Sequence, residues 1–395
     1  MRVAMLTYSV KPRGGVEHAL AVAEALAQRG HEVCAAALAQ PGEAFFRAPS
    51  GGVTTHLVEH VPTAEVFDER ILAMVAAYRD GLRPLLADGG FDIVHAQDCI
   101  SANAALDLRD EGVIAHVVRT VHHVDDFISP SLIACQDRSI LDPDLVLCVS
   151  QPWIERLADE FGVDARLVRN GVDCDRFRAP RDAAERAADR AALGLGDRLT
   201  VLTVGGIEPR KGSLTLLEGF AALRAEAPER DPLLLVVGGA TLFDYRDEID
   251  RFAGRARELG VSEHVRVVGT VTPAELERHY RAADVFAFPS TKEGFGLVAL
   301  EALAAGLPVV ASAIDVFLTF LSHGESALLS PSGDGSALGR SLVRLARDED
   351  GRLRERLVAG GRHVVDAYGW DTAAVAHEDA YRTFQADPMI GALSA

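Results

Sequence analysis

Short β-branched runs alternate with longer helical patterns along the whole chain, in two series of nearly equal length. Parallel strands need long crossovers, and an alternation of this kind supplies them, so it specifies βαβ units and parallel sheets. The first series offers strands near residues 2–8, 32–38, 92–96, 115–121, 145–150 and 166–169. The second offers 199–205, 233–238, 265–269, 284–288, 308–311 and 326–330. Each series closes a doubly wound sheet of its own.

A chain of 395 residues is too long for one ordinary domain and suits two. The expected fold is therefore α/β, with two Rossmann-like doubly wound parallel-sheet domains. The first spans residues 1–175. A charged, alanine-rich linker with Pro180 follows over 176–197, and the second domain covers 198–370. The tail 371–395 reads as a helix with Asp371 near its start and apolar positions at Ala373, Ala376, Ala380 and Phe384. Both domains open the same way: Arg2–Tyr8 leads through Gly14-Gly15 into a helix, and Leu199–Val204 leads through Gly205-Gly206 into another. A helix N-terminus then stands at each strand's carboxyl end, and if the domains face one another the two openings flank one cleft.

Composition excludes several functions. Against 40 basic residues stand 58 acidic ones, a net charge of −18 that opposes sequence-independent binding to nucleic acid or to anionic lipid. Up to Asp173 the count is 14 basic and 25 acidic, so an anionic membrane surface is an unfavourable partner for the first domain. The cysteines (Cys34, Cys99, Cys135, Cys148 and Cys174) include no Cys-x-x-Cys pair, and four lie in or beside apolar stretches, as buried thiols in a reducing compartment do. The N-terminus enters a strand without a signal-peptide pattern, and no apolar run reaches membrane-spanning length. A cytoplasmic protein is expected.

Residues 284–312 carry the most chemistry. They read as an apolar strand, a tight loop Thr291–Gly296, a helix from Leu297 to Ala305 and a second strand. Glu301 falls on the stripe with Leu297 and Ala304, expected to be the buried face, so it needs a bonding partner there. Gly294, Phe295 and Gly296 lead into the helix with unsatisfied N–H groups and a positive dipole end, which suits a phosphate. A second loop, Val204-Gly-Gly-Ile-Glu-Pro-Arg-Lys-Gly212, ends a buried strand and presents Arg210 and Lys211 where two cations would neutralise a diphosphate. Only Lys11, Lys211 and Lys292 are lysines, and each lies beside a glycine-rich turn.

Other signals are weaker. Gly14-Gly15 allows a ligand close to the backbone, yet no Gly-x-Gly-x-x-Gly occurs where a dinucleotide fold requires it. His122 follows a strand and points at the expected ligand crevice, whereas His123 should face the other way. Asp142-Pro-Asp144 and Asp173-Cys-Asp175 could hold a divalent metal, but the first brackets a turn, a common solvated place for aspartate.

Lys292-Glu293-Gly-Phe-Gly-Leu-Val-Ala-Leu-Glu301, followed by Ala305-Gly-Leu-Pro308, resembles the E-x7-E segment of retaining, nucleotide-sugar-dependent glycosyltransferases of family 4, which have the GT-B fold. The resemblance extends over nearly the whole chain through Gly14-Gly15, Gly30-His-Glu-Val33, Thr120-Val-His122, Val149-Ser150, Asn170-Gly-Val-Asp173, Pro209-Arg-Lys-Gly212 and Tyr368-Gly-Trp370. It implies that Glu301 binds the ribose hydroxyls of a nucleoside diphosphate sugar and Glu293 contacts the donor sugar. Phe295 and Gly296 would offer backbone amides to the phosphates, with Gly294 and Gly205 shaping the two donor loops. Arg210 and Lys211 would hold the leaving diphosphate, Gly15 would approach it, and His122 would line the donor-sugar subsite. The tail helix would cross back to the first domain.

Two departures from the family pattern stand out. Gly206 occupies a position where members usually carry arginine, and Ala313-Ile-Asp-Val-Phe-Leu-Thr319 replaces a common Gly-Gly-x-x-Glu. The resemblance implies transfer with retention to a hydroxyl acceptor, expected to be a soluble small molecule, with no cofactor and no metal. A sugar-nucleotide epimerase of similar two-domain shape is the alternative; it would form product from donor alone. A nicotinamide-dependent oxidoreductase is opposed by the missing glycine fingerprint, and a binding module without turnover by the density of charged site residues.

Overall fold

The computed structural model describes residues 1–239 and 245–386. It divides into two compact units, Met1–Gly171 together with the chain from Trp370 onward, and Val172–Gly369.

In the first unit the strands are β1 (Arg2–Thr7), β2 (Glu32–Ala39), β3 (Thr54–Glu59), β4 (Ile93–Ala96), β5 (Val118–Val121), β6 (Leu145–Cys148) and β7 (Arg166–Leu167). They form one parallel sheet in the order β3-β2-β1-β4-β5-β6-β7. The chain winds outward from β1 through β3, then starts again on the other side of β1 with β4. At that reversal the crossovers run to opposite sides, leaving a crevice beyond the carboxyl ends of β1 and β4. Strands β1 and β2 are buried on both faces, as an apolar run such as Val3-Ala-Met-Leu6 requires when helices cover each side.

Strand β3 was not legible. Its Thr-Thr-His-Leu-Val-Glu is only partly buried and lies at the sheet edge, so the continuous apolar signal of a central strand is missing.

In the second unit β8 (Thr200–Val204), β9 (Leu233–Val237), β10 (Val265–Gly269), β11 (Val285–Phe288), β12 (Val309–Ser312) and β13 (Ala327–Ser330) form a parallel sheet in the order β10-β9-β8-β11-β12-β13. The reversal here lies between β8 and β11. Leu216, Leu217, Phe220 and Leu223 on helix Ser213–Glu226 pack with Val201, Val236, Val285 and Val310 from the sheet. The segment read as a linker belongs to this unit: helix Ala183–Ala192 buries Asp189, which pairs with Arg281 at 2.7 Å and Arg278 at 3.3 Å. Its alanine-rich, charged sequence marks a helix but not the surface that receives it.

Helix Trp370–Gln385 completes the first unit. Ala374, Ala380, Tyr381 and Phe384 join Val3, Met5, Ala19, Val22 and Leu26 in one core. Glu378 fastens it: its carboxylate accepts from Arg29 at 2.7 and 3.1 Å and meets His31 Nε2 at 2.8 Å. These partners, Arg29 first, hold the buried Glu378 carboxyl down at about 2 against an ordinary 4.5. A carboxyl whose folded value is depressed stabilises the fold above its ordinary pKa and loses that contribution as pH falls through the folded one. Glu378→Gln is therefore expected to cost about 3 kcal/mol at neutral pH. The gap from wild type should close between about pH 4.5 and 2 in thermal melts across that range.

Candidate active site

Both signature loops of the second unit follow strands that flank its reversal point. Val204-Gly-Gly-Ile-Glu-Pro-Arg-Lys-Gly212 comes directly after β8, and Pro289–Gly296 after β11. The first loop tightens into a 3₁₀ turn at Pro209–Lys211, then passes through Gly212 in the left-handed region (φ 66°) into helix Ser213–Glu226. A Cβ on Gly212 would stand 2.1 Å from the Pro289 carbonyl oxygen, so only glycine lets the two loops meet. Backbone bonds then join them, with Thr291 N–H donating to the Arg210 carbonyl at 2.8 Å.

That juxtaposition gathers the charged residues. Lys211 Nζ donates to Glu293 Oε1 at 2.7 Å and lies 4.8 Å from the centre of the Phe288 ring. Arg210 Nη1 is 3.5 Å from Glu293 Oε2, and its Nε pairs with Glu208 Oε2 at 2.9 Å. Burial alone would push the Glu293 carboxyl up. The Lys211 and Arg210 charges and the Lys211 hydrogen bond outweigh it and hold Glu293 below its ordinary value, so it is ionised at neutral pH. Gly205, at the end of β8, sits against the Lys211 stem: a Cβ there would be 3.4 Å from Cε. Gly205, Gly206, Lys211, Ser213 and Phe288 line a small pocket.

Gly294, Phe295 and Gly296 lead into helix Leu297–Ala304, which Gly296 caps with φ 97°. Phe295 is buried and stacks on Phe320 at 5.5 Å. A Cβ on Gly296 would meet Phe317 at 2.5 Å, and Phe317 comes from the segment that departs from the family pattern. Glu301 is buried, and its Oε2 accepts from the Tyr280 hydroxyl at 2.7 Å. Burial, then the neighbouring Glu301 charge, lifts the Tyr280 phenol well above its ordinary pKa, so it remains a donor. One expectation is corrected here. Leu297 and Ala304 are only half-buried, and the deepest positions of the helix are Ala299, Leu300, Ala302 and Leu303. The helix packs against sheet and helices on more than one side, which broadens the single stripe.

On the first unit Gly15 and His122 lie together. A Cβ on Gly15 would be 3.6 Å from His122 Cδ2 and 3.7 Å from Nε2. Burial, followed by the nearby His18 and Arg119, pushes the His122 imidazole well below its ordinary value and keeps it neutral. His123 is exposed and pairs with Asp125 at 3.3 Å, in keeping with its opposite orientation. The Asp-x-Asp triplets hold backbone: Asp144 accepts from the N–H of Val117, the residue before β5, and Asp173 accepts from the N–H groups of Asp175 and Arg176 in its own loop. Among the described residues no cluster of three or more His, Cys, Asp or Glu is placed to hold a metal ion.

Sequence reasoning passed over Glu208, Tyr280 and Phe288. Glu208 was visible inside its loop, and a buried carboxylate beside Arg210 is the kind of partner a paired cation needs. Tyr280 lies 21 positions before Glu301, and nothing local relates them.

Two doubly wound parallel sheets, with cationic and acidic loops at the reversal point of the second, match the GT-B architecture. Residues 185–364 match the model of glycosyl transferases group 1, and residues 12–176 match that of glycosyltransferase family 4. A D-inositol 3-phosphate glycosyltransferase from Streptomyces bingchenggensis is 31% identical over 86% of this chain and 80% of its own. A phosphatidyl-myo-inositol mannosyltransferase from Mycobacterium leprae is 33% identical over 95% of this chain and 94% of its own. The chain belongs to this family 4 group of glycosyltransferases. Among solved structures, a sucrose-phosphate synthase from Thermosynechococcus elongatus superposes with a TM-score of 0.81 at 24% identity, covering 98% of this chain and 99% of that one. An Anabaena protein in complex with UDP-glucose reaches 0.77 at 18%, covering 98% and 99%. These two likenesses bear on the fold alone.

Proposed function

We propose that this glycosyltransferase moves a sugar from a nucleoside diphosphate donor to a hydroxyl of a cyclic polyol acceptor, with retention of anomeric configuration. The observation that carries the donor half is the contact of Arg210 and Lys211 with Glu293 between the loops that follow β8 and β11. In this reading the two cations neutralise the diphosphate, Glu293 meets the donor sugar and Glu301 the ribose. Gly205, Gly294 and the amides of Phe295 and Gly296 shape the phosphate subsite. Gly15 and His122 keep their expected roles toward the donor.

The acceptor oxygen bonds to the anomeric carbon on the face from which the diphosphate leaves, while the carbon–oxygen bond to phosphate breaks. The acceptor's proton passes to a departing phosphate oxygen. Charge builds on the diphosphate, where Lys211 and Arg210 stand. The reaction so written needs no resident metal and no carboxylate nucleophile.

The names of the relatives support an inositol-class acceptor, a soluble inositol phosphate in one and an inositol lipid in the other; the acidic first domain favours the soluble form. No helix among the described residues is long and apolar enough to cross a membrane, and we place the activity in the cytoplasm, where nucleotide sugars are available.

The test is calorimetric titration with UDP-, GDP-, ADP- and dTDP-sugars and their free diphosphates, with and without EDTA. Turnover is then assayed with myo-inositol and with inositol 3-phosphate. Binding of one nucleotide family indifferent to EDTA, and an acceptor-dependent product whose NMR coupling matches the donor's anomer, is the expected result. Product from donor alone would replace this reading by epimerisation, and an inverted anomer would overturn retention.

A further inference from the structure

The His122 imidazole is attached to a buried hydrogen-bonded chain that the transfer reaction as written leaves unused. Its Nε2 lies 3.0 Å from Gln97 Oε1, and Gln97, only 2% exposed, is the residue immediately after β4. Amide oxygen and nitrogen have nearly the same shape, so the orientation of Gln97 has to be settled by what its other atom meets. Its nitrogen is 3.0 Å from Met5 Sδ and 3.1 Å from His95 Nε2. A thioether sulfur has lone pairs and no proton. An N–H is attracted there, whereas a carbonyl oxygen would be repelled. The carbonyl of Gln97 therefore faces His122, and only an Nε2–H can bond to it.

The same logic continues inward. His95 Nε2 receives the Gln97 N–H and lies 2.7 Å from Thr120 Oγ1, while its Nδ1 lies 2.7 Å from the Tyr381 hydroxyl. With Nε2 accepting, the proton of His95 sits on Nδ1 and is donated to the Tyr381 oxygen. Each link has one donor and one acceptor, and they all run the same way: His122 to Gln97, Gln97 to His95, His95 to Tyr381. His95, Thr120 and Tyr381 are fully buried, so reversing a single link would leave two donors or two acceptors facing each other without water. The ring of His122 is held as firmly as its proton. His18 packs edge-on against it at 4.8 Å and is anchored in turn by Asn170 at 2.8 Å.

We infer that Gln97 is a positioning residue that fixes His122 as the neutral Nε2–H tautomer, leaving Nδ1 as a hydrogen-bond acceptor for a hydroxyl of the donor sugar. The inference rests on the reading that His122 meets that sugar. It adds a selection rule: the group received at His122 must donate, so a donor sugar with a hydroxyl at that place is favoured over its deoxy or O-alkyl counterpart. It also gives helix Trp370–Gln385 a part in the chemistry, because Tyr381 terminates the chain of bonds.

The test is a two-bond proton–nitrogen spectrum of the full-length protein labelled with ¹⁵N-histidine, with the His122 signals assigned by their loss in His122→Asn. The expected wild-type pattern has Hδ2 coupled to a protonated Nε2 and an unprotonated Nδ1. Gln97→Leu fills the space without an acceptor. It should mix the tautomers and lower kcat by about 10- to 100-fold, with affinity for the free nucleoside diphosphate unchanged. A wild-type proton on Nδ1 would overturn the inference, and so would a folded Gln97→Leu protein with unaltered tautomer and kcat. The wild-type spectrum decides the tautomer even if the leucine variant does not fold. Full activity in His122→Asn would instead remove the donor-sugar reading, a failure that the spectrum keeps separate.

Discussion

Lys211→Ala is expected to lower kcat by about 10²- to 10³-fold while leaving the fold intact. Lys211 already has one buried partner, since Glu293 accepts from it at 2.7 Å. An ammonium carries three N–H donors, so it can take a phosphate oxygen without releasing the carboxylate. The negative charge on a leaving diphosphate is greatest after the glycosidic bond has begun to break, and a cation fixed beside it stabilises that state more than the ground state. The loss should therefore fall on kcat. Arg210 does not replace it, because its Nε is held by Glu208 and its nearer terminal nitrogen is 3.5 Å from Glu293. Arg210 does keep Glu293 from being left buried without a cation, which is why stability should survive. Lys211→Arg should recover little, since a larger guanidinium with its donors in a fixed fork cannot stand where the compact ammonium meets Glu293 Oε1 at 2.7 Å and still turn a free N–H to the phosphate. Initial rates at saturating donor and acceptor, alongside thermal melts, check both halves. A Lys211→Ala enzyme with unchanged kcat would remove Lys211 from the transition state.

The architecture was legible because each central strand is a short apolar run buried on both faces, and β1, β8 and β11 could be read directly from Val3-Ala-Met-Leu6, Val201-Leu-Thr-Val204 and Val285-Phe-Ala-Phe288. The same reasoning had to miss β3, whose exposed edge admits threonine, histidine and glutamate. Helix Ala183–Ala192 shows a different limit. Its sequence is polar enough to stand in water, and the reason it packs lies in Arg278 and Arg281, far along the chain.

Within the site, local signals survived and distant ones did not. Gly212 and Gly296 announce left-handed turns, and the cations and carboxylates announce charge that needs a partner. Which carboxylate meets which cation was not visible, since Lys211 and Glu293 are brought together by the neighbouring positions of β8 and β11 in the sheet. The chain behind His122 was wholly hidden. His95 and Gln97 stand at the end of β4, His122 follows β5 and Tyr381 lies on helix Trp370–Gln385, and none of His95, Gln97 and Tyr381 carries a motif that would single it out from an ordinary buried polar residue.

Glu301→Ala should have the opposite kinetic signature to Lys211→Ala: donor KM raised by about 10²-fold or more with kcat nearly unchanged. A carboxylate that accepts from two ribose hydroxyls makes two charge-assisted hydrogen bonds, each worth about 1.5–3 kcal/mol. The ribose is remote from the breaking bond, so those bonds are equally strong in ground and transition states and their loss is uniform. Tyr280 sharpens the prediction. Its hydroxyl donates to Glu301 Oε2 at 2.7 Å, which orients the carboxylate before any ligand arrives. Tyr280→Phe should then raise donor KM by only about 3- to 10-fold, since one neutral-to-charged bond is lost and the acceptor remains. Glu301→Gln should fall between the two, because an amide keeps one acceptor oxygen but confronts a hydroxyl or the tyrosine with a donor. Calorimetry with the free nucleoside diphosphate orders the three variants without reference to the acceptor, and donor-saturation kinetics at fixed acceptor separates KM from kcat. If Glu301→Ala lowered kcat as far as Lys211→Ala does, with KM intact, Glu301 would have to stand at the reacting carbon, and the assignment of ribose and sugar subsites along the loop from Glu293 to Glu301 would be reversed.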